Sequence, residues 1–145
     1  MKFWDTSAVA ALCVAEPTSA TARAAAFADP AMIVWWGTRT ECVSALARRV
    51  REGGMSGTGE RQARDVLRQL VQVWAEVQPS ESLRDTAERL LAVHPLRAAD
   101  AFQLAAALQW CQGAAAGHAV VSFDARLRGA AYREGFTLLP ERLAR

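Results

Sequence analysis

Apolar residues in this chain fall into short unbroken blocks, separated by longer stretches in which they recur every three or four positions. Lys2-Phe3-Trp4 and Ala31-Met32-Ile33-Val34-Trp35-Trp36 are brief and carry aromatic or β-branched side chains, as strands buried on both faces do. Between them Ala8 to Ala28 is Ala-rich, broken by Glu16-Pro17-Thr18. Proline cannot continue a helix interior, so the segment predicts two short helices with a bend. From Thr38 a helical period puts Cys42, Val43, Leu46 and Val50 on one face, with Arg48, Arg49 and Arg51 largely off it. Residues 52 to 60, EGGMSGTGE, carry four glycines and read as a flexible connector. A further helix is expected from Arg61 to about Gln72, with Val66, Leu67, Leu70 and Val71 as its buried side.

Val73 to Gln78 admits either a third strand or continuation of the helix before Pro79. Ser80 or Ser82 then caps a helix through Leu83, Ala87, Leu90, Leu91 and Val93, ended by His94-Pro95. Leu96 to Cys111 is the longest helical pattern. Gly113 to Gly117 leads into His118-Ala119-Val120-Val121-Ser122-Phe123, a strand candidate. A helix from about Ala125 to Arg133, a stop at Glu134-Gly135 and a last strand, Phe136 to Leu139, complete the chain. Strands alternating with helices predict right-handed crossovers, hence an α/β fold with one parallel sheet of four or five strands covered by helices. With 145 residues, no internal repeat and no low-complexity tail, residues 1–145 read as a single domain.

The charge balance is mild, 17 basic against 15 acidic residues for a net +2, which permits nucleic acid as a partner without announcing it. Cys13, Cys42 and Cys111 are odd in number and far apart, so they read as small buried hydrophobes rather than a disulfide framework or metal clamp. No apolar run approaches membrane-spanning length, and Asp5 stands where a signal peptide would need the start of its apolar core. The expectation is a reduced, cytoplasmic protein with no membrane partner.

In a parallel sheet the strand ends and the helix starts share one rim, where α/β proteins bind ligands. Asp5 closes the first strand, Glu41 lies in the first turn after the second, Asp100 in the early turns of the helix opened by Pro95, and Asp124 closes the strand ending in Phe123. Each has a structural alternative. Thr38-Arg39-Thr40-Glu41 fits a capping box, Asp124 an N-cap and Asp5 a turn. Asp100 is harder to explain so, because Leu104, Leu108 and Cys111 continue its helix face. Two carboxylates about 4 Å apart repel by roughly 4 kcal/mol at an effective dielectric near 20, so a cluster of four needs protons or a cation. Oxygen-only ligands favour Mg²⁺ or Mn²⁺ over zinc.

The blocks FWDTSAVAAL, TECVSALARR, LRAADAFQLAAAL and VVSFDARLRGAA, in that order and spacing, resemble the PIN-domain nucleases, most closely the VapC group of toxin ribonucleases from type II toxin–antitoxin pairs. The resemblance implies a three-layer α/β/α sandwich and an acidic pocket holding Mg²⁺ or Mn²⁺ for endonucleolytic cleavage of RNA. Asp5, Glu41, Asp100 and Asp124 would form its catalytic, metal-binding quartet, with Thr6 or Ser7 hydrogen-bonded beside Asp5. It further implies a homodimer and a cognate antitoxin that wraps the toxin and obstructs the pocket. Trp4 and Trp35-Trp36 are bulkier than typical strand residues of the family. The alternative is a catalytically silent PIN scaffold binding RNA or protein. A haloacid-dehalogenase-type phosphatase, with Asp5 as nucleophile, would want a second acid where Ser7 stands.

Thr6 and Ser7 also have a helix-capping alternative. Arg61, Arg64 and Arg68 share a helix face, and Arg48, Arg49 and Arg51 flank the glycine connector. Both sets read as a solvated surface or as a basic track for an RNA backbone. His94 and His118 lack the partners of a general base and receive no role; the tryptophans read as core or interface residues.

Overall fold

Alternate residues of each inner strand point to opposite faces of the sheet, and the sequence makes both faces apolar. In the computed structural model, which describes residues 1–144, Phe3, Ile33, Trp35 and Val120 face one helical layer, while Trp4, Met32, Val34 and Val121 face the other. The strands are β1 (Lys2–Trp4), β2 (Met32–Trp35), β3 (Ala75–Val77), β4 (Ala119–Val121) and β5 (Thr137–Leu139). They form one five-stranded sheet in the order β3-β2-β1-β4-β5, parallel throughout, with Phe3 opposite both Ile33 and Val120. The segment 73–78 thus resolves into a strand rather than a continued helix.

The first layer contains α1 (Thr6–Cys13), α2 (Ser19–Ala28), α3 (Thr38–Arg51) and α4 (Gly57–Val71). The second contains α5 (Glu81–Val93), α6 (Ala98–Trp110) and α7 (Ala125–Arg133). The result is the three-layer α/β/α sandwich expected. Ser80, not Ser82, caps α5, accepting from the Leu83 N–H at 3.1 Å. No helix among the described residues is long and apolar enough to cross a membrane. Cys13, Cys42 and Cys111 are free and buried.

Two expectations are corrected. The connector ends at Ser56, not at residue 60: the Ser56 hydroxyl accepts from the Gly59 N–H at 2.9 Å, and this cap starts α4 at Gly57. The buried line of α4 is Ala63 and Leu67, with Val66, Leu70 and Val71 only half-buried. The apolar face of α4 is thus centred on Ala63 and Leu67, with the larger residues at its margin.

Candidate active site

The N-termini of α1, α3, α6 and α7 meet at the edge where β1, β2 and β4 end, around an open pocket of about 580 Å³. Asp5, Glu41, Asp100 and Asp124 all line it, as do Thr6 and Ser7. Four acids separated by up to 119 residues in sequence therefore share one cavity. Asp5 and Asp100, whose separation on opposite flanks would have removed any common site, line the same wall system.

Asp5 is 3% exposed, and three hydrogen bonds hold its carboxylate. Its Oδ1 accepts from the Ala8 N–H at 3.0 Å and from the Ser7 hydroxyl at 2.7 Å, and its Oδ2 accepts from the Ser122 hydroxyl at 2.9 Å. Each of these hydroxyls also accepts a backbone N–H from the turn after β4: Ser7 Oγ from Phe123 at 2.8 Å, Ser122 Oγ from Asp124 at 3.1 Å. The two turns are thus stitched together through Asp5. Asp5 caps α1, so the capping alternative for Thr6 and Ser7 is not realised; both lie inside the helix.

Thr6 serves the second acid instead. Its hydroxyl donates to Glu41 Oε2 at 2.8 Å, and Gln103 Nε2 reaches Thr6 Oγ1 at 2.9 Å, Thr38 Oγ1 at 3.0 Å and Glu41 Oε2 at 3.3 Å. Glu41 therefore spends its carboxylate across the pocket rather than on its own helix start, and the capping box proposed for Thr38 to Glu41 does not form. The amide orientation of Gln103 follows from the network, since its carbonyl oxygen turned toward Glu41 would face a carboxylate. Like Asp5, two further acids carry structural duties as well. Asp124 Oδ1 caps α7 through the Leu127 N–H at 2.8 Å, and Asp100 Oδ2 accepts from the Arg97 N–H at 3.1 Å at the start of α6.

Burial pushes Asp5 up to about 6, against hydrogen bonds from Ser7, Ala8 and Ser122 that pull it down, and the Asp124 charge adds to the rise. Glu41 is also raised, first by burial and further by Asp100, with Thr6 and Gln103 opposing. The acids thus repel in two pairs, Asp5 with Asp124 and Glu41 with Asp100. Asp5 makes no ion pair among the described residues, although its charge acts on the buried Arg128. The buried Arg128 guanidinium donates to the carbonyls of Ser122 at 2.9 Å, Pro140 at 2.7 Å and Glu141 at 3.3 Å. A carboxylate-rich, His-free pocket suits a hard divalent ion. Among the described residues, however, no three Asp, Glu, His or Cys side chains are grouped as a ready metal cluster. The acids as placed are turned to hydroxyls and helix starts.

Gln103, Ser122, Thr38 and Arg128 escape a sequence search for acids. Gln103 had one usable signal, its place one helical turn after Asp100 on the same face of α6. On the basic side, Arg48 and Arg49 line the pocket, whereas Arg61, Arg64 and Arg68 do not. Arg64 pairs with Glu60, Arg68 with Asp65, and Arg61 donates to Thr58.

The fold and site define a class: a parallel α/β/α sandwich with an acid-lined pocket at the strand C-termini, the rim where such sheets bind ligands. The family model for the PIN domain matches residues 2–132, and the chain belongs to the PIN-domain family. PIN domains are generally nucleases that use divalent metal ions. No curated protein matches the chain.

Proposed function

We propose that the protein is a Mg²⁺- or Mn²⁺-dependent endoribonuclease, the toxin component of a type II toxin–antitoxin pair, acting as a cytoplasmic homodimer whose antitoxin obstructs the pocket. The observation that supports this best is the meeting of Asp5, Glu41, Asp100 and Asp124 in one cavity, with Asp5 and Glu41 both raised by burial and by a neighbouring acid. Asp5 and Asp100 are assigned to bind the main ion most directly. Glu41 and Asp124 complete its water shell, help hold a second ion or orient the attacking water. When bound, the ion would activate water, neutralise the phosphoryl oxygens and support the departing oxyanion.

The chain's own contributions follow from the hydrogen bonds. Ser7 and Ser122 fix both oxygens of Asp5, so its carboxylate is held before any ligand arrives. Thr6 and Gln103 both bind Glu41 Oε2, leaving Oε1 to take a proton from water. Arg48 at the pocket wall supplies a positive charge for a phosphate, which the acids themselves repel.

The test is cleavage of single-stranded RNA by purified protein with Mn²⁺ or Mg²⁺, with chelator and with Asp5→Asn. Cleavage that stops with chelator and with the variant supports the reading. RNA binding with no cleavage under either ion would favour the silent scaffold, and cleavage unchanged by Asp5→Asn would point to a contaminating nuclease. An adjacent reading frame encoding a small DNA-binding protein with a disordered tail would support the toxin assignment.

A further inference from the structure

Beside the acid pocket lies a second cavity of about 520 Å³, walled by Pro17 and Thr18 on one side and by Pro140 and Leu143 on the other. Pro17, Thr18 and Phe123 line both cavities, so the two adjoin along a shared wall. Their chemistry differs. The first is lined with carboxylates; the second is mainly apolar, with an aromatic ring, threonine hydroxyls and the exposed cation Arg142.

Both walls of this second cavity are fixed. Phe123 directly precedes Asp124, and its N–H donates to Ser7 Oγ at 2.8 Å, so the ring rides on the turn that also carries an acid. The ring packs against the apolar cluster beneath α1 yet stays half-buried. Thr18 donates to Glu16 at 2.8 Å, and Arg49 grips the same carboxylate at 2.6 Å. Arg128 holds the opposite wall through the Pro140 and Glu141 carbonyls.

We propose that this cavity is a nucleobase subsite: the base next to the scissile phosphodiester of single-stranded RNA stacks on Phe123, and Arg142 meets a phosphate of the same strand. A nucleotide joins a flat apolar ring to an anion within one residue, and the paired cavities divide in the same way. The acid pocket repels phosphates, so stacking in the adjoining slot supplies binding that the acids do not. The assignment rests on the nuclease reading of the acid pocket and adds to it the place where a base is held.

The experiment uses the full chain carrying Asp5→Asn to suppress cleavage, with Mg²⁺ and a fluorescein-labelled single-stranded oligoribonucleotide followed by anisotropy. Phe123→Ala is expected to weaken binding about 10-fold and Phe123→Trp to stay within about 3-fold of the parent. Because Phe123→Ala could disturb the fold, the substrate is varied too. One abasic nucleotide moved along the strand should weaken binding at a particular position, and that position should cost nothing further in Phe123→Ala. Binding indifferent to every abasic position overturns the subsite. Cleavage by the parent chain with Mn²⁺, scored separately, decides the nuclease reading: cleavage without abasic sensitivity sinks the subsite alone, and abasic sensitivity without cleavage sinks the nuclease reading and with it the subsite's place beside a scissile bond.

Discussion

Asp5 and Glu134 are both carboxylates drawn in from solvent, and the fold treats them in opposite ways. Burial raises both. At Glu134 the hydrogen bonds and charges of His94 and Arg89 more than reverse it, leaving that carboxyl below its usual range. His94 Nε2 lies 2.7 Å from Glu134 Oε1, and Arg89 3.4 Å from Oε2, so the pair ties α5 to the end of α7. At Asp5 the partners are two hydroxyls and one N–H, and the carboxyl stays raised at about 6. An acid given cations by its own chain serves the fold. Asp5, beside Asp124 with Glu41 and Asp100 in the same pocket, has no ion-pair partner within reach among the described residues, and under the proposed function a metal ion would supply that charge.

The sharpest break between the two is Asp5→Asn. Cleavage of RNA should fall by about 10³-fold or more, a loss of roughly 4 kcal/mol of transition-state stabilisation. The metal-free protein should at the same time become more stable at pH 7.5, by on the order of 2 kcal/mol, because a buried charge is removed. Single-turnover cleavage and thermal melts in chelator measure the two. Loss of activity together with loss of stability would mean that Asp5 is mainly a helix cap.

Asp5 also sets a pH dependence whose sign is opposite to that of Glu134. The folded pKa of about 6 lies above the unfolded value of 3.8, so between those limits the folded state binds more protons and stability falls as pH rises. The shift corresponds to roughly 3 kcal/mol by pH 7, with Glu41 acting in the same direction. Glu134, lowered, contributes stability above the usual carboxylate range that is lost as pH falls through its folded pKa. Melts in chelator should therefore show stability falling from pH 5 to pH 7.5, and millimolar Mn²⁺ should recover most of the loss at pH 7.5. A flat profile from pH 5 to 7.5 in chelator would contradict the assignment.

Glu134→Ala is the mirror image. It leaves buried His94, whose Nδ1 already has no partner, without its Nε2 partner as well, and should cost about 1–3 kcal/mol. Cleavage per folded molecule should stay unchanged. A selective loss of cleavage at full stability would place Glu134 in the chemistry and erase the contrast.

The acid half of this contrast is legible in the sequence because strand ends are legible. Phe3-Trp4 and Val120-Val121 are apolar runs that stop within three residues of Asp5 and Asp124, and a parallel sheet brings such stops to one rim. The hydrogen bonds that hold the acids are not legible in the same way. Ser122 and Gln103 are single polar residues in mainly apolar stretches, and Thr38 opens a helix. Only the packing of α1, α3 and α6 brings Gln103 to Thr38, as only the pairing of β1 with β4 brings Ser122 to Asp5. The start of α4 was hidden for a different reason: glycine's poor helix propensity at Gly57 and Gly59 masks the Ser56 cap that offsets it. The Glu134–His94 pair joins residues 40 apart and belongs to no motif.

The smallest expected effects concern the arginines, and they carry the same contrast to the surface. Arg64 is tied to Glu60 at 2.7 Å on its own helix and lies outside the pocket, so its charge is already answered. Arg49 is similarly tied to Glu16, whereas Arg48, on the same pocket wall, makes no ion pair among the described residues. Arg48→Ala should weaken RNA binding about 3- to 5-fold at moderate salt and reduce the slope of log affinity against log salt by about one. Arg64→Ala should stay within about 2-fold with the slope unchanged, because the freed Glu60 and the lost cation both lie away from the strand. Equal effects from the two would mean that RNA is attracted by the general basic surface, and that a cation left unpaired at the acid rim has no special claim on the substrate.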